Sequence, residues 1–367
     1  MDKLVFTPAD VDLSRSPLAR DLAGETFVLG AFNPGLTRLP SGNLLMMVRI
    51  AEALREPADA THAHVIRWEA GRYARDAWPL DRVDRSDPRT LRVRDPHWTV
   101  LALTSLSWLL PVELSPDGSR IVAVHYDKAI APAASYACYG IEDPRISRVG
   151  DRWLMTACAV SPERQCTLLY TSANALDWTC EGIVFDHQNK DVLIFEGLIA
   201  GRYWAQTRPL GDAWFACPPG DPYLPGPAIH LASSPDAIHW KPCDRPGLRP
   251  REVRTARIGG GAPPIRTRDG WLSLWHGVEP GAGRVGTYRT WWSILDAEDP
   301  SIVVREGQGP LIEAAPALTA PLADAMYLDD VVFTTGIVDA GDGFIVASGE
   351  ADLACRITHV EKSAFAL

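Results

Sequence analysis

The sequence predicts an all-β protein, a five-bladed β-propeller built as a single domain over residues 1–367, with an insertion in the first blade region. Three observations carry this. A Gly-containing turn followed by a short, mainly apolar strand recurs five times. A second turn, rich in Ser, Asn and Asp, is reused between those copies. The chain holds 30 Pro and 29 Gly and few long stretches of 3.6-residue periodicity, so the remainder reads as strands and loops at blade length.

The five copies, in chain order, follow Ser41-Gly42-Asn43, Gly150-Asp151-Arg152, Gly201-Arg202, Asp269-Gly270 and Asp342-Gly343. Glycine suits such tight connections because it tolerates positive φ. The second turn appears at Ser115–Gly118, at Thr171–Trp178 and at Ser233–Trp240. The first interval is about twice the later ones and contains an Arg-, Asp- and Pro-rich stretch, so residues 52–110 are expected to form an insertion or lid over one mouth of the propeller. Its Trp68, Trp78 and Trp98 argue against complete disorder and make it a candidate contact surface of a homo-oligomer. A pair of β-sandwiches is the alternative that also uses many short strands.

A formal charge of −10 argues against nucleic acid as the main partner, since neutralising phosphates takes a surplus of Lys and Arg, and leaves room for a small anionic ligand in a local basic pocket. No apolar run approaches a signal segment or a membrane span, which predicts a cytoplasmic protein with no membrane partner. Seven cysteines without CxxC or His-linked spacing predict reduced core residues and no metal site.

Blade strands converge at their inner ends, where polar side chains can share one pocket. Six to seven residues beyond each turn Gly stand Arg49, Ala157, Arg208, His276 and Glu350. Four of the five are ionisable, which core packing does not call for. The most distinctive segment is Glu142-Asp143-Pro144-Arg145, two carboxylates in a Pro-restricted turn with an Arg beside them. Such a turn can aim Asp143 at a substrate while Arg145 holds an oxygen-rich group. As a bare four-residue string it reads more readily as a solvated turn. Asn33 before Pro34 is also a common turn cap, and His276 could be an ordinary core histidine. Gly259-Gly260-Gly261 lacks the context of a phosphate loop and reads as close backbone packing. The 13 Trp suit sugar stacking and core packing alike, with Trp291 and Trp292 assigned to packing.

Taken in order, Phe32-Asn33-Pro34, the Glu142–Arg145 turn with Ile146, Asn189-Lys190-Asp191-Val192, Thr207-Arg208-Pro209, the segment Ile258–Ile265, Trp275-His276-Gly277 and Asp329-Asp330-Val331 resemble glycoside hydrolase family 130, the inverting β-mannoside phosphorylases and β-1,2-mannosidases. The resemblance implies a sugar at the propeller axis and Asp143 as general acid, its proton passing through a mannose hydroxyl. It implies a substrate-binding set of Asn33, Arg49, Glu142, Arg145, Lys190, Asp191, Arg208, His276 and Asp330. Phosphate, where used as co-substrate, would fall to Arg49, Arg145 and His276. No other cofactor is implied, and the partner is a small oligosaccharide.

Family phosphorylases commonly carry LFPxKI where this chain reads Ile194-Phe195-Glu196-Gly197-Leu198-Ile199, so Leu198 stands in the place of a phosphate-binding Lys. Ala347-Ser348-Gly349 likewise lacks a Tyr. Glu196 then becomes the candidate base for activating water, and the expectation is hydrolysis of β-1,2-linked mannosides, with phosphorolysis the alternative. Lys190 could replace the missing cation. Two further readings are a non-catalytic sugar-binding propeller and a furanosidase-like hydrolase using Asp143, Asp191 and Asp330 from three blades. Aglycone specificity is expected from residues 52–110 and 211–227.

Overall fold

The computed structural model describes residues 1–94, 99–210, 228–243, 257–279, 285–365 and 367. Trp98 and the 211–227 loop therefore lie outside the described residues.

The chain is almost wholly β-structure, as the turn repeats predict. Each repeated Gly turn opens the middle strand of a meander. Thr26–Arg38 pairs antiparallel with Leu44–Leu54, which pairs with Ser105–Leu114 and then Ile121–Val124. Gly140–Val149, Arg152–Val160, Gln165–Ser172 and Thr179–Phe185 repeat the pattern, joined to the first group through one parallel bridge, Gly140 to Ser107. Asn189–Ile194, Tyr203–Pro209, His230–Ser234 and Lys241–Pro242 form a third meander. A fourth runs Arg257–Gly260, Gly270–Glu279, Thr287–Leu295 and Val303–Glu306. The last, Val332–Asp339, Gly343–Glu350 and Ala354–Glu361, takes Asp2–Phe6 as its outer strand. Among the described residues no sheet closes on itself.

The turn glycines 42, 150, 201 and 270 have positive φ, and in the last meander Gly341 takes that role rather than Gly343. The second repeated turn is one structure reused. Asn174 Oδ1 accepts from the backbone N–H of Leu176 and Asp177, and Asp236 Oδ1 accepts from those of Ile238 and His239. The same geometry returns at Asp296, where the sequence signal is too degenerate to notice.

The insertion is narrower than 52–110. Leu44–Leu54 pairs directly with Ser105–Leu114, from Leu44 opposite Leu114 to Ala53 opposite Ser105, so only residues 55–104 leave the sheet. They fold into a hairpin, His62–Glu69 with Arg72–Pro79, and a small sheet of Val83–Asp87, Thr90–Arg94 and Thr99–Leu103.

The core lies between the sheets. Met46, Val48, Ile50, Leu106, Trp108, Leu110 and Ile357 pack into one cluster, and burying side chains of this size contributes roughly 1.5–3 kcal/mol each. Trp275 and Trp291 stack at 5.7 Å between ring centroids, and Trp292 packs edge-on against Phe365. No helix among the described residues is long and apolar enough to cross a membrane.

Candidate active site

The first strand of several meanders carries a β-bulge at its inner end. Register shifts fall between Phe32 and Gly35, between Glu142 and Arg145, and between Lys190 and Leu193. The residue inside each bulge is left-handed: Asn33 at φ 48°, Asp143 at 50° and Asp191 at 53°. Asn and Asp tolerate this region best among residues with a Cβ, which is why the chain places them there. A bulge re-aims its side chain, and these three converge on one cavity of about 460 Å³.

Asp143 is buried at the cavity floor. Its Oδ1 accepts from Asn33 Nδ2 and from Arg49 Nη1, both at 2.9 Å. Arg49 Nη2 donates to Glu142 Oε1 at 2.9 Å, and Lys190 Nζ donates to Glu142 Oε2 at 3.0 Å. Burial pushes the Asp143 carboxyl up, but Arg49, Arg145 and Lys190 together with the Asn33 hydrogen bond hold it below the usual carboxylate range. Burial opposes the Lys190 charge, yet Glu142 keeps that ammonium firmly protonated.

Asp191 sits in the same backbone device with a different surround. Arg145 Nη2 donates to its Oδ1 at 3.2 Å and Arg208 Nε to its Oδ2 at 2.6 Å, so both oxygens are engaged. Burial is outweighed by the charges of Arg208 and Arg145, and the carboxyl stays ionised. His276 Nε2 lies 3.6 Å from Asp191 Oδ2, and neither ring nitrogen has a hydrogen-bond partner among the described residues. Burial, with help from Arg208, Arg145 and Arg257 and against Asp191, lowers the imidazole to about 3, leaving it neutral. A Cβ on Gly259 would stand 2.4 Å from Asp191 Oδ2 and from the His276 ring, and one on Gly349 would stand 2.1 Å from Asn33 Oδ1. Both glycines are there for close approach, which the triple-Gly segment predicts for Gly259 but not for Gly349.

Of the residues named from sequence, Asn33, Arg49, Glu142, Asp143, Lys190, Asp191, Arg208 and His276 line the cavity. Three do not. Arg145 lies underneath, its guanidinium used on Asp143 O, Gly261 O and Asp191 Oδ1, which makes it a positioning residue. Asp330 shares the left-handed backbone, at φ 55°, but its half-exposed carboxylate turns outward to Thr287 Oγ1 and Arg289. Glu196 lies five residues past Asp191 on a chain leaving the cavity, a separation of about 16 Å at strand rise. There it accepts from the backbone N–H of Arg148. Burial pushes it up to about 7, against Arg148. Leu198, 48% exposed, is not among the residues that line the cavity. Glu350 is likewise absent, being tied to Arg356 and the N–H of Ala315.

Sequence reasoning missed several lining residues, three of them beside the named set. Asp352, left-handed at φ 50°, is pushed up to about 6 by burial against the pull of Arg49 and Arg89. Arg257 donates to the Tyr288 hydroxyl and lies over its ring, and both face the cavity. They supply a cation and a phenol that the segments around Leu198 and Ser348 lack. The aromatic walls are Phe32, Tyr288, Tyr327 and Phe333, and no Trp among the described residues lines the cavity.

Converging carboxylates and arginines at the floor of an all-β scaffold, one carboxylate oxygen left toward the cavity, are the equipment of a glycoside-cleaving enzyme of the phosphorylase class. A family model described as beta-1,4-mannooligosaccharide phosphorylase matches residues 106–363, and the chain belongs to glycoside hydrolase family 130. The beta-1,2-mannobiose phosphorylase of Listeria innocua is 32% identical over 337 residues, 89% of this chain and 87% of the relative. The 1,2-beta-oligomannan phosphorylase of Thermoanaerobacter sp. is 31% identical over 228 residues, 60% of this chain and 68% of that one. The Listeria innocua structure, a complex with beta-1,2-mannobiose, superposes with a TM-score of 0.81 at 29% identity, covering 98% of this chain and 95% of the other. These relatives are phosphorylases, and the expectation of hydrolysis loses its support, since both Glu196 and Leu198 stand away from the cavity.

Proposed function

We propose that this protein phosphorolyses β-mannosides, acting on β-1,2-linked manno-oligosaccharides with inversion, and that its meanders are the blades of a five-bladed propeller around the cavity. The observation that carries the reading is the division of the floor. Asp143 is held by Asn33 and Arg49, while Arg208 and His276 gather at Asp191 and Arg257 and Tyr288 adjoin His276, so the lining falls into an acid cluster and a separate cluster rich in donors. An inverting displacement needs its acid and its nucleophile on opposite faces of the sugar.

In this reaction a phosphate oxygen bonds to the anomeric carbon as the bond to the aglycone oxygen breaks. The proton of Asp143 passes to that oxygen, and the products are α-mannose 1-phosphate and the shortened sugar. Arg257 and Arg208 supply charge-assisted donors for the anion. His276, uncharged, offers one donor and one acceptor. The negative charge of phosphate opposes the cations that keep Asp143 ionised, so its arrival favours the protonated acid. No metal or organic cofactor takes part.

Retention of Asp143 with an oxygen free argues against a purely sugar-binding module. The three-carboxylate furanosidase layout has no counterpart, because Asp191 is saturated by arginines and Asp330 faces outward. The test is β-1,2-mannobiose incubated with and without inorganic phosphate, following mannose and mannose 1-phosphate. Phosphate-dependent mannose 1-phosphate is expected, whereas equal release of free mannose in both conditions would return the enzyme to hydrolysis.

A further inference from the structure

Residues 55–104 leave the first sheet and return to it, and they lie outside the 106–363 stretch that the family model matches. This excursion reaches the cavity mouth with Asp87, Arg89 and Leu101. The Asp87 carboxylate is held by its own loop, Oδ1 accepting from the Arg89 N–H at 2.9 Å and Oδ2 from Arg89 Nη2 at 3.2 Å. Asp87 and Leu29 also form part of a second cavity, of about 290 Å³, between the excursion and the sheet beneath it. Its apolar side is Phe27, Leu29 and Leu91, and its polar side includes Arg55, His64 and Asp87.

Apolar walls beside polar side chains suit a pyranose ring, which presents C–H on its faces and hydroxyls around its edge. A charged or peptide ligand would find no unbroken field of one sign here. Adjacency to the first cavity, through two shared wall residues, selects the occupant: the continuation of a chain whose first sugars already sit over Asp143.

We propose that the second cavity is a distal subsite for the third sugar of a β-1,2-linked manno-oligosaccharide, which makes this enzyme one for chains longer than the disaccharide. This rests on the mannoside reading given above. Asp87 joins the arrangement, since it lines both cavities and its carboxylate is fixed by Arg89. The excursion thereby sets chain-length preference without touching the reacting atoms.

The test is calorimetric titration of the Asp143→Asn protein with β-1,2-mannobiose, mannotriose and mannotetraose. The expected result is about tenfold tighter binding of the trisaccharide than of the disaccharide, with little further gain for the tetrasaccharide. Adding Thr104→Trp, which fills the second cavity from a residue that lines it alone, should remove the gain and leave the disaccharide Kd within about twofold. Pro57→Trp, at an exposed position on the same cavity, is the second route should the first variant fail to fold. Equal affinities for two and three sugars would overturn the proposal, as would a tryptophan that weakens both alike. Binding at no length would overturn the mannoside reading along with it. Phosphate plays no part in the titration, so a hydrolase would leave the chain-length result standing.

Discussion

Asp143 and Asp191 occupy equivalent bulges with φ within a few degrees of each other, yet their surroundings give them opposite work. Around Asp191 two guanidiniums engage both oxygens, and the carboxylate becomes an anchor that orients Arg145 and Arg208. Around Asp143 the amide of Asn33 and the guanidinium of Arg49 share one oxygen, and the other accepts no hydrogen bond from a described residue. The backbone places a carboxylate, and the number of donors on its two oxygens decides whether it holds the site or acts in it.

The sharpest way to break this comparison is to replace each by its amide. Asp143→Asn should lower kcat/KM for β-1,2-mannobiose roughly 10³-fold with little change in Tm, the scale expected for loss of a general acid. Asp191→Asn should instead remove about 3 kcal/mol or more of stability, because Arg145 and Arg208 would be left buried against a neutral partner. Thermal unfolding of the two variants side by side reads the difference, and an Asp191→Asn protein as stable as the parent would show that the anchor is not needed.

Proton supply gives an intermediate effect. Asp143 is held below the usual carboxylate range, so its donor form is lost as pH rises, and activity should fall with it. Saturating phosphate should move that alkaline limb of kcat/KM upward by about one pH unit, through the negative charge it brings into the cavity that Asp143 lines. A limb indifferent to phosphate would mean that the anion binds too far away to influence the acid.

The smallest effect belongs to Glu196→Gln, which should leave the rate within about twofold because the side chain is outside the cavity. Its signature is in stability. The Glu196 carboxyl titrates near 7 when folded against an ordinary 4.5, so its contribution is full below about pH 4.5 and lost as pH rises through 7. Between pH 5 and 8 the parent Tm should fall by about 2 °C more than that of the variant.

Much of this was legible because left-handed backbone leaves a local mark. Gly in the hairpin turns, Asn or Asp in the reused turn, and Asn33, Asp143 and Asp191 before Pro or Val are residue types chosen by φ alone. Three of the eight named site residues that met in one cavity, Asn33, Asp143 and Asp191, carry that mark. Arg257, Tyr288 and Asp352 were hidden because only the packing of separate sheets brings them together, and nothing in their own segments announces it. Counting a fixed distance from each turn picked Glu350, but a left-handed pair, Ala351 and Asp352, follows that strand and delivers the next carboxylate to the cavity instead. Glu196 misled for a related reason, since neighbours along an extended strand separate quickly in space.

The left-handed bulge that carries Asp143 accepts asparagine as readily as aspartate, and Asn33 holds the corresponding place one meander earlier. A one-step change of acid to amide at residue 143 would therefore silence the chemistry while leaving the sugar cradle and its scaffold whole. Descendants of such a chain could become mannan-recognising lectins without passing through an unfolded ancestor.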